Sequence, residues 1–310
     1  MSLPPMSLPP MTLPIVYHPD YMAPLKPGHR FPMSKYGYLR AALVARGLMA
    51  ETGGYIAPAP AGFAQIAAVH APDYVDRVFT QTLRPEETRV IGLPATPAMT
   101  RRVRLSAAGT TLAARLALEH GLACNAAGGS HHAGPACGAG YCVFNDVAVA
   151  ARTLLDEGQV TRIAIVDLDV HQGDGTARIF ADEPAVFTVS VHGQKNYPVR
   201  KAASSLDLGL ADGVGDAAYL QAVDAALNAA IGFAPQIAFY NAGVDPHQAD
   251  RLGRLALSDA GLRARDARVI ARLRGADIPL VGVLGGGYDA DIEALAARHA
   301  ILFEEAARAA

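Results

Sequence analysis

The stretch that decides the fold is "RIAIVDLDVHQGDG", residues 162–175. From Ile163 to Val166 every side chain is apolar, with no polar residue interleaved. A strand covered on one face alternates apolar and polar residues, whereas a run apolar throughout suits a strand covered on both faces. Past Val166 the chain turns polar. Three other segments have the same form: "AVFTVSVH" (185–192), "QIAFYNAGVD" (236–245) and "PLVGVLGGGY" (279–288). Helical patterns lie at 101–120, 145–157, 216–231 and in "SDAGLRARDARVIARLRG", where Ser258 is a candidate N-cap and Gly275 a stop. This alternation predicts an α/β fold with a central parallel β-sheet and helices on both faces. With no linker or composition break after residue 15, residues 15–310 read as a single domain. In such a sheet ligands bind beyond the carboxyl ends of the strands. All four runs deliver polar residues there.

The 310-residue chain is 51% hydrophobic and 18% charged, with a formal net charge of -2, as a compact globular protein should be. It has no long Lys/Arg run, so neither nucleic acid nor an anionic membrane is expected as a partner. No apolar run reaches membrane-spanning length. At the N-terminus "MSLPP" occurs twice and decays into "MTLP", which predicts a disordered Pro-rich repeat tail over residues 1–14. That segment lacks the basic start and apolar core of a secretory leader, and the expected location is cytoplasmic. Cys124, Cys137 and Cys142 are odd in number and form no CxxC, so no disulfide framework is expected. A cysteine zinc site would show tighter pairing, and these thiols are read as inert.

The chemistry lies at the strand ends. In "DLDVHQGDG" (167–175), Asp169 and His171 are two apart, so on a strand both face the same side. Carboxylate oxygen and imidazole nitrogen are good ligands for a first-row metal, and Asp245, ending "YNAGVD", is the best third ligand. Zinc is the first choice; Fe2+ or Co2+ suits the same donors. Asp167 and Asp174 then need cationic or hydrogen-bonding partners, and His131 and His132 of "GGSHHAG" are the obvious supply. A histidine held by a carboxylate through one nitrogen moves protons with the other. Beside a metal-activated water, two such pairs form an acid–base system for hydrolysis. In "GGGY" (285–288) the glycines let the backbone approach a ligand, and Tyr288 is placed to donate to an oxyanion.

These motifs together resemble the histone deacetylase and acetylpolyamine amidohydrolase superfamily. The likeness runs in family order from "YHPDY" (17–21) through "GGSHHAG", "GYCVFNDVAVAA", "IVDLDVHQGDGT", "FTVSVHG" and "NAGVDPHQADRLGRLALS" to "LGGGY". The segment "GHRFPMSKYGYL" is most similar to bacterial members close to the class IV deacetylases. The resemblance implies an arginase/deacetylase-like fold, Asp169, His171 and Asp245 as zinc ligands, and the pairs His131–Asp167 and His132–Asp174. It makes His132 the main general base and Tyr288 the transition-state tyrosine. A structural K+ site is implied at Asp167, His171 and Ser190, and an acyl-lysine channel at Gly140 and Tyr141, with Tyr197 opposite and Gly286 and Gly287 beside it.

The expected reaction is therefore removal of an acetyl or longer acyl group from an amine, foremost the ε-amine of lysine in a peptide or protein. An acylpolyamine or other small N-acyl amine is the alternative substrate, with Asp207, Asp212 and Asp216 as candidate acidic entrance residues. No rim carboxylate for gripping a peptide stands out, and Asp73 in "VHAPDYVDRV" reads as a helix cap. Ureohydrolase chemistry would need a second set of Asp and His ligands that "DVHQGDG" and "AGVDPHQAD" do not supply. A non-catalytic acyl or partner-binding protein would not need proton-transfer machinery.

Overall fold

The computed structural model describes residues 13–53 and 55–310. Seven strands form one sheet: β1 (Ile15–Val16), β2 (Leu122–Asn125), β3 (Ile163–Asp167), β4 (Val186–Gly193), β5 (Leu206–Leu210), β6 (Ile237–Asn241) and β7 (Leu280–Val283). Their order is β1-β2-β7-β6-β3-β4-β5, and every neighbouring pair is parallel. The four expected strands are all present; β3, β6 and β7 are shorter than their quoted runs, and β4 matches its run shifted by one residue. Three were not anticipated. β1 and β2 are very short, and β5, at the sheet's edge, alternates partly covered and exposed residues.

Burial on both faces explains the unbroken apolar runs. Along β3, Ile163 and Ile165 enter one core cluster while Ala164 and Val166 enter the other. β6 divides likewise, Ile237 and Phe239 against Ala238 and Tyr240. The helices Pro97–His120 and Asp146–Asp156 cover one face. Lys35–Ala45, Asp216–Gly232, Asp259–Arg274 and Ile292–Ala309 cover the other. No described helix is long and apolar enough to cross a membrane.

Capping chemistry sets the helix limits. Thr96 accepts from the Met99 amide at 3.2 Å and Pro97 opens the helix, so it begins four residues before the apolar pattern suggested. Ser258 caps its helix as expected, accepting from Gly261 N at 3.0 Å. Gly275 follows the last helical residue but is right-handed (φ -66); the left-handed turn falls on Asp277 (φ 57). Asp73 sits inside the first turn of Pro72–Phe79, after an Ala71 cap, and is not a cap itself. Of the expected tail, residues 1–12 lie outside the described residues. Leu13 and Pro14 belong to the folded body instead: Leu13 packs on the core, and the Pro14 carbonyl accepts from Cys124 N at 3.0 Å.

The topology singles out one crevice. From β3 the chain builds outward through β4 and β5, then returns to the other side of β3 with β6 and continues to β7. The reversal opens a cleft between the carboxyl ends of β3 and β6. Arg265, fully buried under this cleft, ties its walls together. It donates to the Gly243 carbonyl at 2.5 Å and reaches Leu168 O at 3.5 Å, while Nε binds Asp266 at 2.8 Å. Removing one partner of a buried ion pair leaves the other uncompensated, so Arg265→Met should cost about 3–5 kcal/mol of stability, read as a lowered denaturation midpoint.

Candidate active site

Asp169 and His171 lie beyond β3, which ends at Asp167. Their convergence is therefore not the same-face geometry of a strand but the work of a folded loop. His171 N donates to Asp169 Oδ1 at 2.9 Å, and Val170 N donates to Asp245 Oδ1 at 2.8 Å. Gly286 N holds the other oxygen of Asp169 at 2.6 Å. The result places His171 Nδ1 3.0 Å from both Asp169 Oδ1 and Asp245 Oδ2. One ligand atom from each of the three residues falls within 4.8 Å of the others, and all three residues are buried.

The electrostatics of this trio ask for a cation. Burial, together with the charge of Asp169, pushes Asp245 up to about 7. Burial opposes the charged form of His171, yet its bonds to Asp169 and Asp245 raise it to about 10. Two buried carboxylates thus compete for whatever positive charge is at hand. A divalent metal satisfies that demand with the same N, O, O donors, each outer oxygen already oriented by a backbone amide. The residues fit a metal.

Two histidines stand beside it. His131 Nδ1 lies 2.7 Å from Asp167 Oδ2, and His132 Nδ1 lies 2.7 Å from Asp174 Oδ1. A carboxylate on Nδ1 selects the Nδ1–H tautomer and leaves Nε2 free. The surroundings divide the two pairs. Burial works against protonation of His131, but the charges of Asp167 and Asp169 outweigh it and lift the ring to about 9. His132 is lowered to about 3 by burial and by its neighbour's charge, the ring centroids being 4.1 Å apart. Two rings so close do not both readily take a second proton, and the surroundings favour the charged form of His131 over that of His132. Asp174 is further bound by Arg178 at 2.6 Å, which favours its ionised form.

Above these groups opens a cavity of about 250 Å³, lined by His132, His171, Gly140, Tyr141, Tyr197, Leu252 and Tyr288, among others. Tyr141 adopts a left-handed backbone (φ 67), held by its amide bond to Ile91 O at 2.7 Å. Tyr197 stands edge-on to His132 at 4.8 Å, on the opposite wall. Gly140, Tyr141 and Tyr197, the residues read as channel walls, all line this cavity. Gly286 lines a smaller inner pocket beneath. Gly287 does not line either space: a β-carbon there would meet Val244, Leu295 and His299 of the core. Ser190 pairs with Asp167 across β3 and β4, and its hydroxyl meets His192 Nδ1 at 3.0 Å. The cysteines take no part in the ligand trio. The acidic entrance proposed for polyamines does not form. Asp207 is engaged by Gln172 and Ser204, Asp212 by Arg254 and Asp216 by Ser258, and none lines the cavity.

The sequence pattern that defines the "Histone deacetylase domain" family matches residues 29–303. The chain belongs to the histone deacetylase family. It is 46% identical over 293 residues to an uncharacterized protein of Picosynechococcus sp., covering 94% of this chain and 97% of that one. Histone deacetylase 2 of Arabidopsis thaliana is 32% identical over 270 residues, 84% of this chain and 70% of the relative. Among solved structures, the HDA15 HD domain matches with a TM-score of 0.82 at 23% identity, over 96% of this chain and 89% of that one. An acetylpolyamine aminohydrolase from Burkholderia pseudomallei gives 0.77 at 26%, over 96% and 99%. As a member of this family the chain is a hydrolase acting on amide C–N bonds.

Several supports of this deacetylase site lie within the quoted motifs but had no role that the sequence could assign. Asn241, ending β6, donates to Asp167 Oδ1 at 3.0 Å. Asp250 accepts from Tyr288 N at 2.6 Å, and Arg251 Nε donates to Tyr288 O at 2.8 Å, so the tyrosine's backbone is clamped from both sides. Asp146 receives the amides of Gly129 and Ser130 at 3.1 and 2.7 Å and shapes the loop that carries the histidines. Lys35 is buried below the trio with Nζ 3.3 Å from Gly285 O; burial lowers it to about 8. The motif "NAGVDPHQAD" contains two of these residues, but only the fold says what they touch.

Gly286 packs directly against the two carboxylates of the trio. A β-carbon there would stand 2.7 Å from Asp169 Oδ2 and closer still to Asp245 Oδ2. Gly286→Ala should displace both carboxylates. The expected result is loss of most bound divalent metal by elemental analysis, with the far-ultraviolet circular dichroism of the parent retained.

Proposed function

We propose that this chain is a zinc-dependent deacylase that removes acetyl or longer acyl groups from lysine side chains. One observation carries the reading. The Asp169–His171–Asp245 trio and both His–Asp pairs meet at the floor of a channel walled by Tyr141, Tyr197 and Tyr288. An apolar tube with ionic machinery at its end suits a long neutral chain ending in an amide. Zinc is the first choice for the trio, and Fe2+ or Co2+ suits the same donors. The chemistry such an ion supplies is Lewis-acid polarisation of the scissile carbonyl and of a neighbouring water.

The chain's own groups do the rest. His132, kept neutral and with Nδ1–H bound to Asp174, takes the water's proton at Nε2. His131, with its Nδ1–H bound to Asp167, gives its Nε2 proton to the departing amine, and the hydroxyl of Tyr288 donates to the oxyanion. Burial, followed by the nearby carboxylate charges, raises the Tyr288 phenol, so it stays a donor at neutral pH. Asp167, His171 and Ser190 are assigned to a structural K+ site. Three unpaired cysteines accord with a reducing, cytoplasmic setting. The likeness to an acetylpolyamine aminohydrolase supports a second reading, hydrolysis of acylpolyamines or other small N-acyl amines. A binding protein without catalysis would leave both proton-transfer pairs without a use.

Tyr288→Phe should lower kcat on an acyl-lysine reporter by about 10²–10³-fold while bound metal stays at the parent level. Chelation should abolish turnover of the parent and added Zn2+ restore it. Full turnover by Tyr288→Phe, or by the metal-free protein, would contradict the mechanism.

A further inference from the structure

The channel mouth carries three arginines that the chemistry at its floor does not use. Arg89 lines the outer cavity, while Arg30 and Arg251 line an adjoining space of about 300 Å³ that shares Leu252 and Tyr288 with it. Each arginine directly precedes a residue that forms wall or pocket: Phe31, Val90 and Leu252. All three are exposed. Nearby Arg77 and Arg84 are both held by Glu87, whereas no carboxylate pairs with Arg30 or Arg89 among the described residues. Arg251 spends only Nε, on the carbonyl of Tyr288.

No acidic side chain lines either space. The nearest carboxylates are spoken for. Asp250 accepts from the amides of Leu252, Gly253 and Tyr288, and Asp289 pairs with Arg298 at 2.5 Å. The same cavity is lined by three exposed apolar residues, Val90, Tyr197 and Leu252. A low-dielectric mouth ringed by charge of one sign concentrates ligands of the other sign and repels its own.

We propose that this arginine rim selects acyl-lysine peptides with acidic residues flanking the modified lysine and discriminates against cationic acyl amines. The inference rests on the deacylase reading and adds the substrate class to it. Acylation removes the charge of the lysine itself, so its side chain enters the channel neutral and the rim reads only what flanks it. An acylpolyamine keeps protonated amines a few bonds from the amide and brings them against the guanidinium groups.

The test compares kcat/KM, on the metal-loaded protein, for three acyl-lysine peptides alike except for flanking Glu, Gln or Lys, with acetylspermidine as a fourth substrate. The Glu peptide should exceed the Lys peptide about tenfold at low salt, and the gap should shrink to about threefold or less in 0.5 M NaCl. The double variant Arg30→Gln, Arg89→Gln should bring the Glu-to-Lys ratio, measured within the variant, close to one. Acetylspermidine should be the poorest substrate. Turnover independent of flanking charge, a preference for Lys or acetylspermidine, or a Glu preference untouched by the double variant would overturn the inference while leaving the deacylase reading standing. Failure of every substrate, the Gln peptide included, would sink both.

Discussion

Everything in this structure is arranged around keeping several carboxylates buried at one end of a sheet. Asp167, Asp169, Asp174 and Asp245 lie within a few residues of the same two strand ends, and all are nearly inaccessible. Unpaired anions in such a place are costly. Each has a definite answer here: His131 and Asn241 for Asp167, His132 and Arg178 for Asp174, backbone amides and His171 for Asp169 and Asp245. The charge these partners do not cover is what suits the trio to a metal. Stability and chemistry therefore draw on the same groups.

The unequal partners of the two histidines follow from the same constraint. Asp167 sits among other buried acids, so its histidine is drawn toward the charged form. His132 is pushed toward the neutral form by its burial and by the charge of His131 beside it, which its bond to Asp174 does not outweigh. Two residues adjacent in the chain are thus driven in opposite directions, though each holds a carboxylate, 36 and 42 positions away. Glycine makes the crowding feasible. Gly129 (φ 79) and Gly285 (φ 66) pass so closely that a β-carbon on the first would strike the second's backbone.

Much of this was legible in the chain. The apolar runs announced buried parallel strands, and D-x-D-x-H announced two candidate ligands because they are close in sequence, while the third, Asp245, was suggested by its place at another strand's end. The geometry assumed for Asp169 and His171 was wrong in detail: the strand stops before them and amide bonds, not pleating, bring them together. β1 escaped notice because two residues form it, β2 because its apolar run stops after three residues, and β5 because an edge strand half open to solvent carries no unbroken apolar run. Gly287 looked like part of the channel by its place in "GGGY", yet it faces the core.

By itself the sequence determined the fold class and the family, since periodicity and local motifs encode them directly, and it named the candidate ligands and proton-transfer residues. Only the tertiary structure decided how differently the two histidines are surrounded, how Arg265, Asn241, Asp250 and Lys35 brace the site, and that the mouth is rimmed by arginine rather than by acid. Each of these depends on distance between residues far apart in the chain. Electrostatic energy follows that distance, and sequence separation does not disclose it.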